Sequence, residues 1–166
     1  MKKWLAFVLI SLMLTGCGQT STLETLGNPC AEQQIRESRD IVVDLPQQLA
    51  APVLQNEENG ILYLCEGYTI TLQTLPGGSL DETLKECSGF SRDQLTILET
   101  QGQDYVRYDC VWACVGEKAD EVCRMAILDD GCYHYVVTAM APSEQTQDYL
   151  ETWNEIFGSI SLDTVQ

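Results

Sequence analysis

Cys110, Cys114 and His134 are the residues in this 166-residue chain whose types and spacing could do covalent or metal chemistry. A cysteine beside a histidine can act as an activated nucleophile, and paired thiols with an imidazole can hold zinc. Strand geometry decides both cases. With Asp130-Gly131 as a tight turn, Asp129 faces Cys132, Ile127 faces His134 and Cys123 faces Thr138. With the 116–120 loop closed so that Cys114 faces Cys123, Cys110 faces Ile127. Two strand spacings of about 4.8 Å then hold Cys110 and His134 nearly 10 Å apart, beyond hydrogen-bond reach. Cys110 and Cys114 lie four residues apart on one strand, about 13 Å, so their sulfurs cannot share a zinc held at about 2.3 Å. Asp129-Asp130-Gly131 lacks the spaced oxygen ligands of a calcium loop, and its Asp-Gly pair suits a tight hairpin turn. No catalytic residue, metal or cofactor is assigned.

The same register sorts side chains onto two sheet faces. One carries Val106, Tyr108, Cys110, Trp112 and Cys114 with Cys123, Met125, Ile127, Cys132, His134, Val136 and Met140. Cys114 and Cys123 become a candidate cross-strand disulfide. The other face mixes Arg107, Asp109, Arg124, Tyr133 and Tyr135 with Val111, Ala113, Ala126, Leu128 and Val137. Two arginines and two tyrosines there form a candidate site for an anionic or aromatic ligand, since guanidinium groups bind such anions bidentately. The competing expectation is a face partly covered by a helix, with its arginines paired to acidic neighbours.

These faces must be positioned by elements. Asn28-Pro29 can start a helix running to about Ser38, and Ile41 to Leu45 reads as a short strand. Residues 46–60 read as an irregular connection. ILYLC, Glu66-Gly67 and YTITLQTL read as a hairpin. Ser79 with Glu82 forms a capping box opening a helix that presents Leu80, Leu84 and Cys87. Strands over 95–100, 104–115, 121–129 and 132–140 follow with short connections. Ser143 caps a last helix with Tyr149, Leu150, Trp153, Ile156 and Phe157 at helical spacing, and a short strand over 159–162 closes the chain. The expected fold is α+β: a mostly antiparallel meander packed with two or three helices as an α-β-α sandwich. GILYLCEGYTITLQTLPGG, ILDDGCYHYVVTAMA and WNEIFGSISL resemble a group of small Gram-positive lipoproteins of unassigned function. The order of elements is similar to the PsbP-like α-β-α sandwich. Neither resemblance supplies catalytic residues.

The N-terminus, MKKWLAFVLISLMLTGC, sets Lys2 and Lys3 before a mainly apolar region of twelve residues, Trp4 to Thr15. A stable membrane span needs about 20, so this run fits a cleavable export signal. Leu14-Thr15-Gly16-Cys17 resembles the bacterial lipobox. That resemblance implies a diacylglycerol on Cys17, cleavage just before it, and palmitate-type acyl chains on the mature N-terminus. Two chains suffice for stable anchoring. The expected organisation is a signal over 1–16, a lipidated cysteine and tether over 17–27, and one α+β domain over 28–166. The formal charge of −16 becomes −18 once Lys2 and Lys3 are removed. That argues against nucleic acid and against adhesion to anionic headgroups, and leaves anchoring to the lipid. Of eight cysteines, seven remain beside Cys17, an odd number in a compartment that permits disulfides. The expected function is a lipid-anchored module at the extracytoplasmic face of the cell membrane, binding a ligand or an envelope protein without catalysis. The alternatives are an extracytoplasmic hydrolase and an accessory or assembly factor for another envelope protein.

Overall fold

A computed structural model describes residues 37–46, 54–56, 60–115 and 120–164. Cys17, the lipobox, the tether and nearly all of the helix expected over 28–38 lie outside these residues. Among the described residues, no helix is long and apolar enough to cross a membrane.

Among the described residues, nine strands and two α-helices follow in the order β1 (Ile41–Val42), β2 (Leu54–Asn56), β3 (Gly60–Leu64), β4 (Thr69–Pro76), α1 (Leu80–Ser88), β5 (Ile97–Gln101), β6 (Val106–Val115), β7 (Asp120–Asp129), β8 (Tyr133–Pro142), α2 (Thr146–Ser159) and β9 (Ser161–Leu162). Every pairing is antiparallel. Seven strands form one sheet in the order β2-β3-β4-β8-β7-β6-β5, and β1 pairs β9 in a short ribbon. The fold is therefore the expected α+β class. The expected irregular stretch over 46–60 contains one short strand, β2, paired with β3.

The two long hairpins of the meander differ from the expected register by two residues. Asp129 pairs His134 and Ile127 pairs Val136, so the turn centres on Gly131-Cys132, one residue later than expected. Asp130 explains the shift. Its carboxylate accepts from Cys132 N (2.9 Å) and Tyr133 N (2.8 Å), and its own N–H donates to Tyr133 O (3.3 Å). Gly131 takes the first central position with φ +85°, where a positive angle favours glycine. Across the other hairpin Cys114 pairs Glu121 and Trp112 pairs Cys123. Because strand side chains alternate with period two, a two-residue slip changes partners and preserves faces.

Each sheet face buries a separate core layer. On one, Leu84 of α1 packs with Cys110, Met125, Ile127 and Val136. On the other, Trp153, Ile156 and Phe157 of α2 pack with Ala126, Leu128, Tyr135, Val137 and Ala139. Apolar burial at about 25 cal/mol per Å² makes these layers the main stabilising contribution. Two details differ from expectation. Ser79 precedes α1 without a side-chain cap; its carbonyl instead accepts from Glu82 N and Thr83 N. A 3₁₀ turn over Ser143–Gln145 separates Ser143 from α2, whose Thr146 hydroxyl donates to Pro142 O. At the β3–β4 turn, Gly67 has φ +87°, and a Cβ there would meet the Tyr149 hydroxyl of α2 at 2.0 Å. The turn therefore needs glycine for its angle and for the helix beside it.

Candidate functional site

Seven strands at about 4.8 Å span roughly 30 Å, whereas a helix with its side chains is about 10–12 Å across. A single helix cannot cover such a face. Beside α2, above β5, β6 and β7, the sheet is left as an open groove of about 480 Å³. Ile97 and Leu98 of β5, Asp109, Val111 and Arg124 of the sheet, and Leu150 and Trp153 of α2 line it. Three of its apolar side chains face water: Leu98 is 66% exposed, Val111 56% and Leu150 41%. Leu150 belongs to the expected apolar stripe of α2, yet at this end of the helix the stripe overhangs the groove.

The four residues of the candidate anion site are split by the fold. Arg107 is fully engaged: Nε and Nη2 donate to the Asp109 carboxylate at 2.7 and 2.8 Å, and Nη2 also donates to Phe157 O at 2.8 Å. The hydrogen bonds to Asp109 hold its pKa above the ordinary arginine value. Arg124 lines the groove. Its Nη1 donates to the neutral Asn154 Oδ1 (2.7 Å), and its guanidinium lies 4.4 Å from the centre of the Phe157 ring. Among the described residues it forms no ion pair with a carboxylate, and burial lowers its pKa. Tyr135 and Tyr133 lie elsewhere. Tyr135 pairs Leu128, four residues along β7 from Arg124 and hence about 13 Å away. Its buried hydroxyl accepts from Arg39 N (3.0 Å) and donates to Asp130 (3.1 Å), with its pKa pushed up by burial to about 12. Arg107 is thus paired to an acidic neighbour and Tyr135 to Arg39 and Asp130, while Arg124 alone of the four lines the groove.

One buried polar atom of α2 stands without a partner. Trp153 is 1% exposed, and its indole Nε1 has no hydrogen-bond acceptor among the described residues. A buried donor left unmade costs about 1–3 kcal/mol. The amphipathic spacing of α2 marks Trp153 as core; nothing in that spacing reveals an unmet donor.

Burial pushes the Cys110 and Cys87 thiols up to about 11, and burial together with Cys114 pushes Cys123 to about 12. Cys110 shares its row with Met125 and Thr138, four residues from His134 on β8, so the two stand further apart than the expected register gave. Cys114 and Cys123 are not directly opposed, which corrects that expectation. They are diagonal neighbours, yet their sulfurs lie 3.7 Å apart as thiols.

His134 has partners that sequence reasoning missed. Thr83 Oγ1 lies 2.7 Å from His134 Nδ1, and Asp129 Oδ2 lies 3.6 Å from Nε2. The order hydroxyl–imidazole–carboxylate is that of a nucleophilic triad. However, Thr83 is 6% exposed and His134 1%, so no substrate reaches the hydroxyl. The three side chains tie α1 to the β7–β8 hairpin. A threonine inside the Leu80, Leu84 and Cys87 stripe was the signal available. Arg39 was also missed. It is buried and binds Asp104, Asp163 O (2.7 Å) and Leu162 O (3.3 Å), clamping the segment before β1 to the end of β9.

No family model matches this chain, and no curated protein matches it. Among solved structures it is similar to LpqN, described as involved in cell envelope biogenesis of Mycobacterium tuberculosis, with 12% identity and a TM-score of 0.47 over 78% of this chain and 87% of that one. It is also similar to a protein from Bacteroides thetaiotaomicron, with 10% identity and a TM-score of 0.43 over 75% of this chain and 42% of that one.

Proposed function

We propose that this chain is a lipid-anchored, extracytoplasmic module that binds a ligand in the groove beside α2 without acting on it chemically. The observation that carries this reading is a concave apolar wall left open to water beside α2, with the Arg124 guanidinium at its edge. Ligand sites are of this kind: mostly apolar clefts of about 300–1,000 Å³ with a few placed polar groups. Leu98, Val111 and Leu150 sit on three separate elements, so their convergence is a property of the fold. The raised thiols and the sealed Thr83–His134–Asp129 set favour binding over catalysis. The Leu14-to-Cys17 lipobox supports the anchor.

The test is titration of the mature protein with an apolar fluorescent dye. Saturable binding at one site is expected, and Val111→Lys with Leu150→Glu should weaken it about tenfold or more. Both positions are exposed, so the variant keeps its circular dichroism and melting temperature within a few degrees. A dye that does not saturate, or that binds this variant as tightly as the wild type, overturns the groove as the site.

A further inference from the structure

We infer that the groove selects a monoanionic amphiphile, an alkyl chain ending in a carboxylate, with Arg124 holding the head group. This inference rests on the groove reading above and adds the chemistry of the ligand.

The charges of the groove floor carry the argument. Arg107, Asp109 and Arg124 form a row of positive, negative and positive groups on one sheet face. Asp109 is committed to Arg107 through two hydrogen bonds, and Arg107 also holds a backbone carbonyl of α2. One positive charge is left over, on Arg124, whose contacts are a neutral amide and an aromatic ring, while Asp109, bonded to Arg107, acts on it only through space. A half-buried guanidinium with no carboxylate is under-compensated, because removal from water costs charge–solvent interaction that only an anion or strong acceptors restore. The lowered pKa of Arg124 has that same origin in burial. The row Arg107, Asp109 and Arg124 carries a net excess of one positive charge, so a monoanion balances it and the second charge of a dianion is left uncompensated beside Asp109.

The apolar wall fixes the rest of the ligand: Leu98, Val111 and Leu150 supply it for the chain. A neutral alkyl ligand satisfies the wall and leaves the guanidinium unmet. A small inorganic anion does the reverse.

The experiment is isothermal titration of the mature protein at pH 7.5 with decanoate, decanol, decyltrimethylammonium and decyl phosphate, repeated on Arg124→Gln. Decanoate should bind about tenfold or more tightly than decanol, since hydrogen bonds to charged groups are worth about 1.5–3 kcal/mol. Decyltrimethylammonium should bind most weakly, and decyl phosphate more weakly than decanoate. Arg124→Gln should bring decanoate down to decanol's affinity. Equal affinity for decanoate and decanol, or an Arg124→Gln form that keeps the preference, overturns the ligand class while the groove stands. Tighter binding of decyl phosphate overturns the single-charge argument. Absence of saturable binding by all four ligands overturns the class and the groove together.

Discussion

Arg107 and Arg124 carry the same side chain on the same sheet face, and what meets each one separates a brace from a binding group. Their shared face was legible from alternation, because a two-residue slip leaves faces intact. Their separate roles were not, since those depend on which residues of α2 lie above them: Phe157 O over Arg107, Asn154 and the Phe157 ring over Arg124. The lone histidine was likewise visible in the sequence, while its partners come from α1 and from one residue of β7. Asp129 offers a test of that set. The neighbouring His134 ring holds its carboxyl below the ordinary 3.8, outweighing burial, which acts in the opposite direction. A carboxyl depressed in the folded state contributes stability that is present above the unfolded value and lost as pH falls through the folded value. Asp129→Asn keeps an oxygen for Gly131 N and removes the titration. The variant should melt lower than wild type near pH 6, and its melting temperature should fall less steeply from pH 4.5 to pH 2.5. Parallel wild-type and variant curves across that range would dismiss the ion pair as a contributor.

At the scale of elements, the hairpins and helices were legible wherever local chemistry specifies them: alternation in β6 to β8, and 3.6-residue spacing in α1 and α2. Pairing of β4 with β8 was not, because a seam between distant segments leaves no local signal and is chosen by packing of the whole sheet. The turn centre was misplaced because Asp130 acts through its side chain, accepting two backbone N–H groups, and does not occupy the turn itself. The cysteine pair shows what survives such a shift. Cys114 and Cys123 lost direct opposition and kept their common face, so their sulfurs still meet at 3.7 Å. A disulfide needs about 2.05 Å, a closure that side-chain rotation and a small strand shift supply. Oxidised glutathione would take the two electrons and two protons of the thiols, leaving one disulfide and two reduced glutathiones. Non-reducing peptide mapping of protein so treated should give a Cys114–Cys123 link, and the melting temperature should rise. The enclosed loop is short, so the gain should be about 2–3 kcal/mol. Recovery of both residues as alkylated thiols, or of either joined elsewhere, would remove the pair.

For the whole molecule, one charge and one lipid set how the domain meets its surroundings. The predicted mature chain carries a formal −18, and an anionic leaflet repels such a surface within about a Debye length. Electrostatics therefore works against membrane contact, and any attachment must come from the acyl chains predicted on Cys17. That opposition makes the anchor testable by difference. A diacyl group holds through buried CH₂ groups at about 0.8 kcal/mol each, so a wash at about 1 M salt should leave the wild-type protein in the membrane pellet. Cys17→Ala removes the acceptor of the lipid and keeps the rest of the export signal. Expressed in a bacterial host, this form should appear in the soluble fraction, and labelled palmitate should enter the wild type alone. The domain supplies no second attachment by charge, so the loss should be near complete. A Cys17→Ala protein that still pellets with membranes after the salt wash, or a wild type that takes up no label, would remove the anchor from this account and leave the groove to be explained for a freely diffusing protein.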